Sequence, residues 1–477
     1  MTTSWPDAVN RPASPADMDA TSIPFTPDFE QRDEAEETWL DNQSWRPSGF
    51  LEWFAISQTA LPALLYVPGS QSLRPAIRAG AFLISIVAFG YCYFARRRHR
   101  VLRHPAQRWL RLVLVCLLAM LVHPDTDSLL AGVGQTVLYA AVFCPLFWVP
   151  MFVSTRHQLM RILAILLVCN GINSAVGVLQ VYDPNRWMPA EFSTTFAMNK
   201  DMLAGSTYEG PDGRRIVRPP GLYDTPGAVC GAGTVAALLG LVFFLERMRW
   251  WKRAAALGLS AAGLAAVYLS HVRASAVVAA GMMLTYLAML ALQGQKKRAT
   301  QFLALAAGLV VFTFMTSTIL GGTSIRDRFM SLFQGDPRSL YYQSRGVQLE
   351  YAFDQLLSDY PMGAGLARWG VITGYVGVPR SRQLWAEIQP TAWILDGGIF
   401  LLVLYPLALL ATVLWELKLI RVLRDRDDRL WASAIVACNV GTLALVVSFV
   451  PFTTQIGLQF WFLEGLLHGV MARRLQA

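Results

Sequence analysis

The chain has 477 residues, of which 54% are hydrophobic and only 15% charged, and its formal net charge is +9. Soluble proteins carry about a quarter charged residues, so the string of soluble domains that length alone would suggest is excluded. The basic excess would raise nucleic acid as a partner, but it is spent loop by loop between apolar segments, leaving no basic stripe for one.

Residues 1–49 differ in kind from the rest. They hold ten acids, three arginines and six prolines, with no apolar core. This predicts a disordered acidic cytoplasmic tail rather than a signal peptide. From residue 50 to 477 the chain reads as one membrane domain. Apolar runs recur near 50–67, 79–95, 109–123, 128–153, 159–181, 227–246, 254–270, 272–293, 301–320, 392–415, 431–450 and 454–472. An apolar helix of about 20 residues crosses about 30 Å of hydrocarbon. The expectation is therefore an all-α polytopic integral membrane protein with about twelve transmembrane helices. The first run carries Ser57, Gln58, Thr59 and Pro62 and is the least apolar; the third is short.

Basic residues concentrate in alternate short connections, at 96–108, 154–161, 246–253, 295–298 and 418–429, and again at the terminal Ala-Arg-Arg. The positive-inside rule puts these on the cytoplasmic side, together with both termini, which suits a bacterial inner membrane. Cys92, Cys116, Cys144, Cys169, Cys230 and Cys438 all fall in predicted helices without CxxC spacing. They read as small core residues, with no zinc or redox motif and no cofactor expected.

Two connections on the other face are long, about 182–226 and 321–391, and form the expected periplasmic loops. The first carries Trp187, Phe192, Phe196, Tyr208 and Tyr223. The second contains SRGVQLEYAFDQLLSDYP (344–361), whose Val347, Leu349, Ala352, Phe353, Leu356 and Leu357 recur at helical spacing up to Pro361. The loops hold twelve basic residues, eleven of them arginine. Arginine's planar fork binds phosphate or carboxylate bidentately and keeps its charge. Arg214, Arg215 and Arg218 lead into VRPPGLYDTPGAVCGAG (217–233), a proline-stiffened strap that enters an apolar run. Its small residues Gly227, Ala228, Gly231, Ala232 and Gly233 would permit close helix approach. LSHVRASAVVAAG (269–281) sets His271 and Arg273 in a short turn at the mouth of another run, where an arginine is costly and marks a candidate site. Arg345 opens the amphipathic segment.

These segments, in this order, resemble the O-antigen polymerase and O-antigen ligase family of bacteria (Wzy- and WaaL-like), with its related exopolysaccharide polymerases. The likeness rests on the strap RPPGLYDTPGAVCGAG, on LSHVRAS, on Arg345 followed by Pro361, Gly363 and Gly365, and on WILDGGIFLLVL after the second long loop. It covers most of 110–470. Many members carry a histidine about nine residues before the acid that Asp396 would match. Here that position is Glu387, within WAEIQPTAWILD.

The resemblance implies a membrane glycosyltransferase acting on undecaprenyl-diphosphate-linked glycan. Its setting would be the membrane lipid, with a chain-length regulator and a flippase of the same pathway as partners. Polymerisation of repeat units is the first reading, the missing histidine weighing against ligase-type transfer to lipid A core. A flippase-like transporter and a non-catalytic assembly protein are the rivals from other classes. Negative charge develops on the leaving diphosphate, and fixed arginines can stabilise it. Arg218, Arg273, Arg345 and Arg215 are the candidate diphosphate ligands. The attacking hydroxyl needs a base, for which Glu387, His271 and Asp224 are candidates, with Gln389 as a stand-in for the missing histidine and Asp224 alternatively a salt-bridge partner for Arg218. The outer loops contain no DxD-type metal motif, so metal-independent transfer is expected.

Overall fold

The computed structural model describes residues 49–67, 69–95, 103–153, 155–189, 191–192, 204–210, 212–334, 336–370, 372–373 and 383–474. The expected acidic tail lies outside the described residues apart from Gly49, as do Phe196 and residues 96–102 of the basic stretch 96–108. Ser48–Ala477 form a compact unit by themselves.

The fold is a helical bundle. In chain order come α1 (Gly49–Ala63), α2 (Arg74–Ala95), α3 (Ala106–Ala119), α4 (Leu129–Phe143) and α5 (Arg156–Tyr182). A short antiparallel hairpin follows, β1 (Thr207–Glu209) and β2 (Arg215–Val217), with Tyr208 opposite Ile216. Then come α6 (Val229–Phe244), α7 (Trp250–Leu269), α8 (Arg273–Leu292), α9 (Lys296–Gly321) and α10 (Thr323–Gln334). The last three are α11 (Gln389–Val422), α12 (Arg426–Ala444) and α13 (Gln455–Arg474). Side-chain oxygens satisfy free amides at several helix starts. Ser128 caps α4, Thr155 caps α5 and Asp425 caps α12, accepting from Ala131, Gln158 and Asp427 at 3.3, 3.2 and 2.8 Å.

Each of the twelve apolar runs is helical, but the expectation of about twelve spans does not hold. Among the described residues, six helices are long and apolar enough to cross a membrane: α2, α5, α8, α9, α11 and α12. Joining α4 to the bent segment Pro145–Met151 makes a seventh. The reasons are local. The helices from the first and third runs stop at 15 and 14 residues, ending in 3-10 turns. The α6 helix has 16 residues, about 24 Å at the α-helical rise. The 20-residue α7 and α13 are diluted by polar side chains, Lys252 and Arg253 in one, Glu464 and His468 in the other. The spanning helices turn apolar side chains outward; on α9, Phe312 is 60% and Ile319 76% exposed. Such faces suit hydrocarbon rather than water, and a multi-pass membrane protein is what these helices fit.

Small residues set the closest crossings. A Cβ on Gly233 would lie 2.6 Å from the Gly263 carbonyl oxygen, so α6 and α7 touch backbone to backbone. The long connections also pack by glycine. The α11 helix breaks at Gly397–Gly398, where Gly398 has φ +57°. The Pro361–Gly365 turn docks into that break: Ile399 N–H donates to the Pro361 carbonyl at 2.9 Å and Ala364 N–H to Leu395 at 2.8 Å. Gly363 and Gly365, both at positive φ, leave no room for a side chain against Gly397 and Thr126. Two motifs some thirty residues apart in sequence are thus one contact in space. Gly398→Ala puts a Cβ into the Pro361 carbonyl as well as forcing positive φ, and should destabilise the protein by about 1–3 kcal/mol, read as a lowered melting temperature in detergent.

The second loop corrects the expected amphipathic helix. Helix begins earlier, covers 337–359 and contains two π turns, Tyr342–Gly346 and Ala352–Leu356. Each π turn shifts the phase of the helix, and the expected apolar stripe splits. Ala352 and Leu356 are buried, whereas Val347 and Phe353 are about half exposed.

Candidate functional site

The strap after β2 is clamped by α5. The Gln180 side chain accepts from Gly221 N–H at 2.8 Å and donates to its carbonyl at 2.7 Å, while Asn173 accepts from Leu222 N–H at 2.6 Å. Both amides are fully buried. Gly221, at φ +67°, lies so close to Asn173 and Val229 that no side chain fits there. Arg218 donates its backbone N–H to Ser206 at 2.9 Å and accepts from Gly227 at 3.1 Å. The strap therefore presents Arg218 on a closed, stiff loop, beside Val272 of the next turn.

His271 and Arg273 occupy the α7–α8 turn. His271 is one of two described non-glycine residues with positive φ (+56°), is 4% exposed, and stacks on Tyr208 of β1 at 3.8 Å between ring centroids. Arg273 donates to Ser331 of α10 at 3.1 Å. The third cation is Arg328 of α10. It is electrostatically coupled to Arg218, Arg273 and His271. The α10 helix is tied to the hairpin by Ser324, whose hydroxyl donates to the Glu209 carbonyl at 2.8 Å. Three separate elements thus bring Arg218, Arg273 and Arg328 around one buried imidazole.

No carboxylate among the described residues pairs with any of these three arginines. Arg218 Nε, Arg328 Nε and His271 Nε2 are buried without a hydrogen-bond partner. Burial lowers the Arg218 and Arg328 pKa values from the ordinary arginine value. Burial first, and then the fields of Arg218 and Arg328, push His271 down to about 4. The imidazole is therefore neutral at pH 7. Three cations, unfilled donors and a suppressed fourth charge form a site whose electrostatics favour an anion.

This yields a pH prediction. An unfolded histidine titrates near 6.5, above the folded value of about 4 for His271. The unfolded state then binds the extra proton, so this stability is present above pH 6.5 and is lost as pH falls through 6.5 toward 4. His271→Asn, which tolerates positive φ, should flatten that part of the melting-temperature profile. A wild-type profile without this fall, or one unaltered by the substitution, contradicts it.

The other sequence candidates lie elsewhere. Asp224 is 3% exposed and bound by two arginines of α2, Arg74 at 3.0 Å and Arg78 in a closer pair. Its ion-pair partners are these rather than Arg218. Arg345 pairs with Glu387, and Glu387 also accepts from Gln348 at 2.7 Å and from Trp385 at 2.8 Å. Glu387, Gln348, Tyr351, Trp385 and Thr391 line a cavity of about 190 Å³. No hydrogen bond or ion pair among the described residues joins this pair to the Arg218 group. Arg215 is exposed on β2, across from Glu209. Gln389 is fully buried and accepts from Phe452 N–H at 2.9 Å. Asp396 is fully buried under the glycine turn, accepting from Gln135 and Tyr139 at 2.9 Å each.

Sequence reading passed over Arg328, Ser331, Arg74 and Arg78. A signal existed for the first: Ile325 and Phe329 recur at helical spacing and are buried, which puts Arg328 at the border of an inward face. No known protein family matches the chain, and no curated protein is detectably similar to it.

Proposed function

We propose that this protein is an integral-membrane glycosyltransferase that polymerises undecaprenyl-diphosphate-linked oligosaccharide repeats. It would act at the outer face of a bacterial cytoplasmic membrane. The observation that carries this reading is the set Arg218, Arg273 and Arg328 around neutral His271, with no acid among the described residues paired to it. Arg218 lies on the strap that leads into apolar α6, Arg273 is the first residue of apolar α8 and Arg328 lies within α10; a lipid-borne diphosphate would meet the protein at the ends of such apolar helices. Guanidiniums fixed before the reaction stabilise charge as it develops on a leaving diphosphate.

Proton acceptance falls to Glu387 in this reading. Its carboxylate lines an open cavity and is oriented by Arg345, Gln348 and Trp385. Asp224 serves the framework through Arg74 and Arg78. His271, uncharged, is a hydrogen-bonding wall of the anion site rather than a base.

Deleting the gene in its host and weighing the lipid-linked glycans tests the proposal. Single lipid-linked repeats should accumulate while long polymer disappears. Long polymer retained on the lipid carrier would instead indicate ligase-type transfer to lipid A core or another acceptor. Repeats trapped on the cytoplasmic leaflet would indicate a flippase and overturn the enzyme reading.

A further inference from the structure

The cavity beside Glu387 differs in chemistry from the arginine group. Its lining includes Gln348, Tyr351, Leu384, Trp385, Glu387 and Thr391, and its volume is about 190 Å³. Pockets for drug-sized ligands run to roughly 300–1,000 Å³, so this one has room for a single ring rather than a chain. Two of its walls are aromatic and open to solvent: Trp385 is 61% and Tyr351 47% exposed. The Trp385 indole is nevertheless held in place, because its Nε1–H donates to Glu387 Oε1 at 2.8 Å.

Glu387 is the one charged residue of that lining, and Arg345 pairs with it. The cavity therefore carries no net charge and offers no free cation to an anion. An ionised carboxylate only accepts hydrogen bonds, so Gln348 gives Glu387 its amide NH₂, at 2.7 Å. The Gln348 carbonyl oxygen is left over, buried and without a hydrogen-bond partner. A buried acceptor is costly to leave unmet, and a hydroxyl group meets it. Tryptophan also anchors membrane interfaces, but there the indole N–H faces lipid headgroups, whereas here it is spent on Glu387. A hydrocarbon tail would fill the aromatic walls and leave the carboxylate and amide unmet. A sugar ring satisfies both, its C–H face buried against an aromatic ring and its hydroxyls donating to Glu387 and Gln348.

We propose that this cavity is a saccharide seat holding one uncharged sugar ring, stacked on Trp385, with its hydroxyls on Glu387 and Gln348. Trp385 and Tyr351 supply the affinity. Gln348 sets the choice among sugars, because a site built to accept from a hydroxyl rejects the analogue that lacks it. As the seat of the acceptor it rests on the proposed glycosyl transfer, and it then brings the attacking hydroxyl to Glu387. Sugar binding itself does not depend on that reading.

The test is saturation-transfer NMR on the full chain in styrene–maleic acid nanodiscs, which contain no glycoside detergent. The probes are the methyl glycosides of glucose, galactose, mannose, rhamnose and N-acetylglucosamine. At least one should receive saturation from the protein. Trp385→Ala should weaken its binding by about tenfold or more, the loss expected when a ring's apolar face is no longer buried. Trp385→Phe, which keeps a stacking face, should retain most of it. Gln348→Leu should weaken binding and flatten the preference among the five glycosides. The Trp385 side chain is exposed, so its replacement leaves the fold intact. Saturation of none of the glycosides, or binding unchanged in Trp385→Ala, overturns the seat. Saturation of phosphocholine or glycerol phosphate instead, lost in Trp385→Ala, identifies a lipid-headgroup seat and also overturns it. Glycoside binding in a protein whose gene deletion leaves polymer normal keeps the seat and overturns only the glycosyl transfer.

Discussion

Alanine at Arg218 or at Arg328 should lower glycosyl transfer by roughly 10²–10³-fold each, the loss seen when one preorganised donor to a developing anion is removed. The protein itself should reach the membrane in normal amount, because neither guanidinium has an acid partner among the described residues to strand, and each removal relieves repulsion with its neighbours. Arg273→Ala should act similarly but also frees Ser331. Lysine at Arg218 or Arg328 should leave activity well below wild type, since an ammonium cannot reproduce a bidentate fork. Long polymer per unit of membrane protein is the readout. Normal polymer in both alanine variants sinks the anion-site reading. Loss of polymer for Arg218 but not Arg328 would confine the site to the strap and the α7–α8 turn.

Asp224→Ala should fail in a different way. Its carboxylate is shared by Arg74, itself 5% exposed, and Arg78. Removing it strips two cations of their buried carboxylate and leaves Arg74 only the exposed Glu191 at 3.8 Å, and breaking a well-buried pair costs roughly 3–5 kcal/mol. The same side chain helps seat the strap, since Tyr66 hydrogen-bonds Gly221 close by. The expected result is a marked drop in melting temperature and in membrane-inserted protein, with lost activity following lost fold. Asp224→Asn should fall between, keeping shape and one acceptor without the charge. A stable, fully inserted Asp224→Ala protein that had lost activity alone would return Asp224 to the list of catalytic candidates.

Much of this molecule is legible in its sequence. Hydropathy locates all twelve helical runs, and the chemistry of arginine singles out Arg218 and Arg273, which the fold brings to one imidazole. Counting those runs as spans fails because hydropathy registers apolar stretches but not where a helix stops. Pro62 and the bend after Phe143 shorten or tilt helices whose composition looks sufficient. The amphipathic segment 344–361 is mis-phased for a related reason: π turns depend on tertiary packing and leave no periodic mark of their own.

What the sequence by itself determined is the apolar helices, the arginine-rich connections, and the glycine-bearing strap and turn at 221, 363 and 365. These follow from local steric rules and from the cost of exposing or burying each side chain, and neither depends on a distant partner. Pairing was decided only by the tertiary structure. Asp224 meets Arg74 and Arg78 some 150 residues away, Glu464 meets His104 across 360, and Arg328 joins Arg218 from another loop. A charge constrains its partner's sign but not its position in the chain, so which arginines are neutralised and which remain open to an anion is settled when the helices pack.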